Sequence, residues 1–133
     1  MKLYHFTSRH HIGRCLKEGL TIGAIPVSMN PPEFYNGYQW LTKNKSFHQS
    51  WCDNPYSSLP YKRNDFRITI KIPRLEIKRK RLMNCLWFCK NTPDERIRVA
   101  AEVLNMFGDP ENWYVFHGIV RPEWMKKVSA RPF

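Results

Sequence analysis

The chain has 133 residues and is strongly basic, with 22 Lys and Arg against 11 Asp and Glu, a net charge of +11 and a pI of about 9.8. Hydrophobic residues make up 42% and aromatic residues 14%, which excludes an intrinsically disordered chain and favours one folded domain over residues 1–133. No apolar run approaches the roughly 18 residues of a membrane-spanning helix. We see no signal peptide either, so we expect a cytoplasmic protein with no membrane partner.

The N-terminal half predicts two strands and two helices between loops. In chain order we expect a strand over 3–7, a helix over 8–19, a loop over 20–38, a strand over 39–42, a helix over 43–51 and a loop over 52–64. The first strand carries His5 in a short apolar run. Ser8 is a good N-cap for the first helix, and Gly19 suits its C-terminal end.

The C-terminal half begins with the clearest strand signal in the chain. Residues 65–72 read DFRITIKI, in which apolar and polar residues alternate as in a half-buried strand. We then expect a segment over 75–88 that starts as strand and becomes helix, a helix over 94–107, a strand over 113–120, a short helix or loop over 122–125 and an edge strand from 128. This mixture of short strands and a few helices predicts an α+β fold.

The four cysteines are expected to be thiols, since nothing indicates an oxidising compartment. Cys85 and Cys89 are four residues apart, as are His48 and Cys52, and on helices each pair would share a face. Together these four residues could form a zinc site. The usual CxxC spacing is missing, however, so we favour buried thiols, Cys15 included, and expect no metal.

Part of the positive charge lies in one run of four consecutive residues, shortly after Lys71 and Arg74. The run consists of Lys78, Arg79, Lys80 and Arg81. One interpretation is a solvated charged surface. The other is a binding surface for a partner that carries negative charge, such as nucleic acid, an acidic protein or a phosphorylated ligand.

Several short motifs follow one another in an order that resembles the small ADP-ribosyltransferase-like proteins of bacteria and phages. The motifs are YHFTS, a predicted helix ending in KEGL, QWLT, RITIKI and WYVFHGIVRPEW. In that family a first strand carries H-x-T, the following helix ends in Gly-Leu, a second strand reads W-L-T, and a late segment reads Pro-Glu-Trp. The resemblance spans nearly the whole chain.

The resemblance implies a split, two-sheet α+β fold with an NAD+ cleft between the sheets. His5 would bond ribose hydroxyls, and backbone groups near Thr7 would bond the carboxamide. Trp40 or Tyr38 would stack on a ring of the nucleotide, and Thr42 would offer its hydroxyl to the ribose. Because the glycosidic bond breaks dissociatively, the protein would mainly orient NAD+ and stabilise positive charge at the ribose.

The late strand departs from the family pattern at the position of the catalytic glutamate. Where that glutamate would open the strand, this chain has Asn112 or Trp113, with Glu111 next to them. Glu102 in AAEVL matches the motif by letters but lies in a predicted helix. The catalytic candidates are therefore Glu111 and Asn112. Asn112 can bond a ribose hydroxyl, but it carries no negative charge.

Three functions remain open from the sequence. The first is an ADP-ribosyltransferase-like enzyme that uses NAD+ to modify a macromolecule. The second is a catalytically silent inhibitor protein of the same fold that binds a nucleotide or nucleic acid, for example a phage protein that counters bacterial defence. The third is a nucleic-acid-binding module without a nucleotide pocket, suggested by the basic run and the interspersed aromatic residues.

Overall fold

An antiparallel sheet of six strands organises the chain. The computed structural model describes residues 1–46, 64–106 and 109–132. Its strands are β1 (Lys2–Thr7), β2 (Ala24–Met29), β3 (Pro32–Asn36), β4 (Tyr38–Thr42), β5 (Phe66–Lys71), β6 (Leu82–Asn84), β7 (Trp113–His117) and β8 (Met125–Ala130). Its α-helices are α1 (Ile12–Glu18), α2 (Arg74–Lys78), α3 (Cys85–Asn91) and α4 (Glu95–Met106), with short 3-10 helices at Pro110–Asn112 and Pro122–Trp124. The expected α+β class is confirmed.

The six strands form two groups of three that meet between β4 and β1. The order across the sheet is β6-β7-β4-β1-β5-β8, and β2 and β3 form a separate two-stranded sheet. Within the groups the ladders are continuous: β1 pairs with β5 over its whole length, and so does β4 with β7. Between the groups, β1 and β4 pair only where Tyr4 stands opposite Thr42.

Each face of the sheet has its own hydrophobic core. Leu3, Leu41 and Ile68 contribute to the first core, which also receives Cys15 from α1. The second core covers only the β6-β7-β4 group. It contains Val115 of β7 and side chains from the β2–β3 hairpin and from helices α3 and α4, namely Ile25, Val27, Phe88 and Ala100.

The loop predicted over 20–38 is wrong, because this segment contains the β2–β3 hairpin. Its prolines suggested irregular structure, but Pro26 and Pro32 lie in an isolated two-stranded sheet with a bulge after Pro26. Proline is tolerated in such edge positions, where its missing N–H breaks no central ladder. The buried side chains of Ile25 and Val27 then attach the hairpin to the second core.

Two predicted helix starts are also wrong. Helix α1 begins at Ile12, with His11 as its N-cap. The backbone amides of His11 and Ile12 both donate to the carbonyl of Ser8, which forms a turn before the helix. Residues 43–46 are bends and not helix. The rest of the helix predicted over 43–51, and nearly all of the loop predicted over 52–64, lie outside the described residues.

The remaining elements follow the predictions more closely. Strand β5, helix α4 and edge strand β8 correspond to the segments predicted over 65–72, 94–107 and from 128. The segment over 75–88 differs, since it is helix, strand and helix, with Pro73 as the N-cap of α2. Strand β7 ends early because Gly118, at φ +128°, turns the chain, and Val120 then forms an isolated bridge to Leu20.

Candidate functional site

His5 joins the two strand groups at the point where their backbones separate. Its Nδ1 atom lies 2.8 Å from the carbonyl oxygen of Trp40. A carbonyl oxygen can only accept, so in the neutral ring Nδ1 carries the proton and donates it. The side chain thus makes a hydrogen bond from β1 to β4 just beyond the pair formed by Tyr4 and Thr42.

The environment of His5 keeps its imidazole neutral. Burial lowers the pKa of His5 below its ordinary value of 6.5, and the hydrogen bond to the Trp40 carbonyl opposes this only in part. Because Nδ1 holds the proton, Nε2 is left as an acceptor. A neutral imidazole in this tautomer is suited to receive a hydrogen bond from a hydroxyl group of a ligand.

Thr42 ties the end of β4 to the start of β7. Its side chain is only 1% exposed, and its hydroxyl donates to the carbonyl of Asn112 at 3.2 Å while accepting from the amide of Asn44 at 3.1 Å. The amide of Lys43 also donates to the Asn112 carbonyl, at 2.9 Å. The structure therefore brings two predicted site residues, Thr42 and Asn112, into direct contact.

Sequence reasoning missed a carboxylate beside Asn112. Oδ2 of Asp109 accepts hydrogen bonds from Nδ2 of Asn44 at 2.7 Å and from Nδ2 of Asn112 at 3.3 Å. Asp109 has a left-handed backbone, at φ +40°, and precedes the 3-10 helix at Pro110–Asn112. The Asp-Pro pair signals a turn, but only the folded chain shows which amides the carboxylate meets.

Glu111, the other catalytic candidate, has an exposed side chain. Its backbone carbonyl accepts a hydrogen bond from Nδ2 of Asn84, whose Oδ1 caps the first turn of α3. The structure thus connects the backbone of Glu111 to α3. The side-chain amide of Asn112, by contrast, turns to Asp109.

Trp40 is packed into the second core. Its indole Nε1 donates to the carbonyl of Ala24 at 2.9 Å, and its ring meets Trp113 edge to face, with centroids 6.0 Å apart and planes at 74°. The backbone carbonyl of Trp40 contacts His5, while its side chain attaches the β2–β3 hairpin to the sheet. This packing makes the Trp40 side chain part of the hydrophobic core.

Tyr38 lies at the end of β4 and stacks on His117, with centroids 4.4 Å apart and planes only 4° apart. Burial, with a smaller contribution from nearby Tyr35, raises the pKa of Tyr38 above its ordinary value. Tyr4 stands opposite Thr42 and therefore shares its face of the sheet, whereas the neighbouring His5 points to the other face. The candidate site residues of β4 alternate with their neighbours along the strand and so lie on the face opposite to that of His5. Those β4 candidates are Tyr38, Trp40 and Thr42.

Thr7 faces α1. Its side chain is buried, and its hydroxyl lies 4.0 Å from Sγ of Cys15. In β1 Thr7 shares the His5 face of the sheet. Thr7 and His5 therefore form one set of neighbours, and Thr42, Asn112 and Asp109 form another across the separation between β1 and β4.

The basic run lies at the end of α2 and in the turn that leads to β6. All four side chains are exposed, and Lys80 has a left-handed backbone at φ +59°. Glu76, which is only 8% exposed, pairs with Arg81 at 3.3 Å and with Arg79 at 3.9 Å. The Glu76 carboxylate thus pairs with two of the four consecutive cations.

The described cysteines are free thiols. Burial, and to a lesser degree Cys89, raises the pKa of Cys85, so this thiol stays protonated. Within residues 1–46, 64–106 and 109–132, no three His, Cys, Asp or Glu side chains are grouped so that they could hold a metal ion. His48 and Cys52, the other members of the candidate zinc site, lie outside the described residues.

Over the part of the chain that the structure describes, no helix is both long and apolar enough to cross a membrane. Comparisons of this chain with protein-family models, with curated proteins and with solved structures found no match.

Proposed function

We propose that the protein is ADP-ribosyltransferase-like, binds NAD+ where β1 separates from β4, and transfers ADP-ribose to a macromolecular acceptor. The observation that carries the proposal is the near break in the sheet: a single pair, Tyr4 with Thr42, connects two groups of three strands that are each held together by longer ladders. A split sheet is what the sequence resemblance implies. The predicted strand histidine lies directly beside this break.

His5 has the protonation state that ribose binding requires. Its Nδ1 proton is used by the Trp40 carbonyl, so Nε2 is an acceptor for a ribose hydroxyl. The lowered pKa of His5 keeps this acceptor available at neutral pH. The contact to Trp40 also fixes the ring orientation, which reduces the entropy lost when the ligand binds.

Asp109 supplies negative charge next to the position where the resemblance implies a glutamate. In the proposed reaction the bond from the ribose carbon to the nicotinamide nitrogen breaks, and its electron pair leaves with nicotinamide. Positive charge then develops on the ribose until an acceptor nucleophile attacks and loses its proton. In this proposal that charge is stabilised by the Asp109 carboxylate, which accepts hydrogen bonds from the side-chain amides of Asn44 and Asn112.

The test compares two substitutions of His5 in NAD+ binding by calorimetry. His5→Asn keeps an N–H that can donate to the Trp40 carbonyl but lacks an acceptor in the place of Nε2, whereas His5→Ala removes both. We expect both variants to lose NAD+ affinity and only His5→Ala to lose stability clearly, by about 1–3 kcal/mol for the unpaired carbonyl. Unchanged NAD+ affinity in a folded His5→Asn variant would refute the role of His5.

Transfer itself is tested with labelled NAD+ and a panel of nucleic-acid and protein acceptors, together with an assay for released nicotinamide. We expect label on an acceptor and loss of that label in His5→Asn. Folded wild-type protein that neither releases nicotinamide nor transfers label has no transferase activity on that panel.

A second candidate function is nucleotide binding without catalysis. The observation that favours it is Asn112, whose neutral amide stands where a glutamate would be expected and is already hydrogen-bonded to Asp109. This candidate predicts calorimetric binding of NAD+ or ADP-ribose with no release of nicotinamide. The two assays together separate the two functions.

A further inference from the structure

Three neighbouring strands of the β6-β7-β4 group present a row of aromatic and cationic residues. Tyr38 of β4 stands opposite His117 of β7. The amide of His117 donates to the carbonyl of Arg81 at 2.7 Å, which extends the β6–β7 register by one residue beyond Leu82 and Phe116. Residues directly opposite one another on antiparallel strands share a face, so the three residues form one row.

The aromatic part of this row is a stacked pair with an exposed member. The rings of Tyr38 and His117 are nearly parallel, at 4°, with centroids 4.4 Å apart. His117 is exposed and Tyr38 is half-buried. A flat pair of this kind, anchored on one side and open on the other, is a surface on which a further planar ring can stack.

The cationic part of the row continues into the basic run at residues 78–81. Its side chains are exposed, and Glu76 is the acidic partner of Arg79 and Arg81. Positive charge therefore remains in excess beside the stacked rings. The guanidinium of Arg96 lies 5.8 Å from the ring centre of Tyr35, which packs in the second core with Tyr38, but Arg96 is paired with Asp94 at 3.8 Å, so the excess charge comes from the basic run.

We propose that Tyr38, His117 and the basic run at residues 78–81 form a binding surface for single-stranded nucleic acid. A base stacks on the Tyr38–His117 pair, and the adjoining phosphates contact the basic run. A duplex suits this surface less well, because its bases are already stacked on one another. An acidic peptide would satisfy the charges but offers no ring for the stacked pair.

This inference goes beyond the proposed function and requires no NAD+. Its test is fluorescence anisotropy of short labelled RNA and DNA single strands, with the matching duplex, in the absence of NAD+. We expect single strands to bind more tightly than the duplex, with affinity that falls steeply between about 50 and 200 mM salt. The outcome is thus independent of whether NAD+ binds elsewhere.

Two variants of His117 separate stacking from charge. His117→Ala removes the exposed ring and is expected to weaken single-strand binding about tenfold, within the range for loss of one base–aromatic stack. His117→Phe keeps a flat ring beside Tyr38 and is expected to retain most of the affinity. Equal affinities of wild type and a folded His117→Ala variant would overturn the stacking role.

A matched pair of charge variants tests the position of the phosphates. Lys78→Gln combined with Lys80→Gln removes two exposed cations from the run and is expected to reduce the salt slope by about one to two units. Lys126→Gln combined with Lys127→Gln removes two exposed cations from β8, at the opposite edge of the sheet, and is expected to change nothing.

Thermal melting establishes whether each variant is folded. If His117→Ala does not fold, the proposal is judged from the single-strand affinities of His117→Phe and of the two lysine double variants. The proposal is refuted if wild-type protein binds no single strand at low salt. It is equally refuted if the β8 pair weakens binding as much as the Lys78 and Lys80 pair. Competition by polyglutamate as effective as that by oligonucleotide would indicate an acidic protein partner instead.

Discussion

At the scale of single residues, the proposed function rests mainly on His5 and Asp109, which differ in how far the sequence anticipated them. His5 was visible in LYHFTS as a polar residue in an apolar strand. Its tautomer depends on the Trp40 carbonyl, 35 residues away in the chain, and is therefore a property of the fold. Asp109 was not anticipated, because its significance comes from Asn44, 65 residues away.

The lowered pKa of His5 predicts a pH dependence of stability. Between its folded pKa and about 6.5, the unfolded chain binds a proton at this site that the folded chain does not. The free energy of unfolding therefore falls as the pH drops below about 6.5. This group contributes at most about 1.4 kcal/mol per pH unit to that fall, and at higher pH its contribution does not change with pH.

Urea unfolding at about pH 7.5 and about pH 5.5 measures this effect. His5→Asn, which does not titrate, should lose less stability than wild type between the two pH values. The pKa of His11 is lowered as well, mainly by burial, so His11→Asn is expected to act in the same direction, and comparing the two variants separates the contribution of His5 from that of His11. A pH dependence that is identical in wild type and His5→Asn would contradict the prediction.

The contact between Asn112 and Asp109 predicts the result of restoring a glutamate. Asn112→Glu alone replaces an N–H that donates to Asp109 by a second carboxylate, so we expect a loss of about 1–3 kcal/mol in stability. Combining Asn112→Glu with Asp109→Asn removes the repulsion between the two carboxylates, and asparagine tolerates the left-handed backbone at position 109. The exchanged variant should recover stability in urea unfolding and release nicotinamide faster than wild type.

A stable Asn112→Glu variant would show that the two side chains do not interact in solution. An exchanged variant that folds but releases no more nicotinamide than wild type would favour the non-catalytic candidate, nucleotide binding alone.

At the scale of elements, the sequence was most informative where one strong pattern determined the outcome. The alternation in DFRITIKI predicted β5, whose Ile68 and Ile70 reach the first core. The β2–β3 hairpin was missed because its strands are held by tertiary contacts with α4 and Trp40 rather than by a strong local pattern. For the same reason, the separation of β1 from β4 was expected only through the family resemblance.

Helix α1 offers a matched pair of glycine substitutions. Gly19 ends the helix at φ +87°, and an added Cβ would collide with the carbonyl oxygen of Val120. Gly13 lies inside the helix, and an added Cβ would meet nothing within 4 Å. We expect Gly19→Ala to destabilise the protein by about 1–3 kcal/mol and Gly13→Ala to stabilise it by up to about 1 kcal/mol.

Chemical denaturation of both variants against wild type checks the sign of each change. Equal effects of the two substitutions would mean that the end of α1 is not held against Val120.

At the scale of the whole molecule, the excess of positive charge opposes compact folding. With 22 basic and 11 acidic residues, like charges repel across the surface, and salt screens that repulsion over about 8–10 Å at physiological strength. We therefore expect the melting temperature to rise from low salt to about 150 mM salt. A melting temperature that falls over this range would show that attractive ion pairs, such as those of Asp65 with Arg9 and Arg131, outweigh the repulsion.

The single pair between β1 and β4 also has a mechanical consequence. When two strands part, every hydrogen bond of their ladder must break, so a boundary with one residue pair opens at lower cost than one with a full ladder. The Tyr4–Thr42 pair then holds the two groups of strands together, and the His5–Trp40 hydrogen bond beside it is a further contact between them. We therefore expect the two groups of strands to change their relative angle more easily than strands within either group, because fewer backbone hydrogen bonds oppose that change.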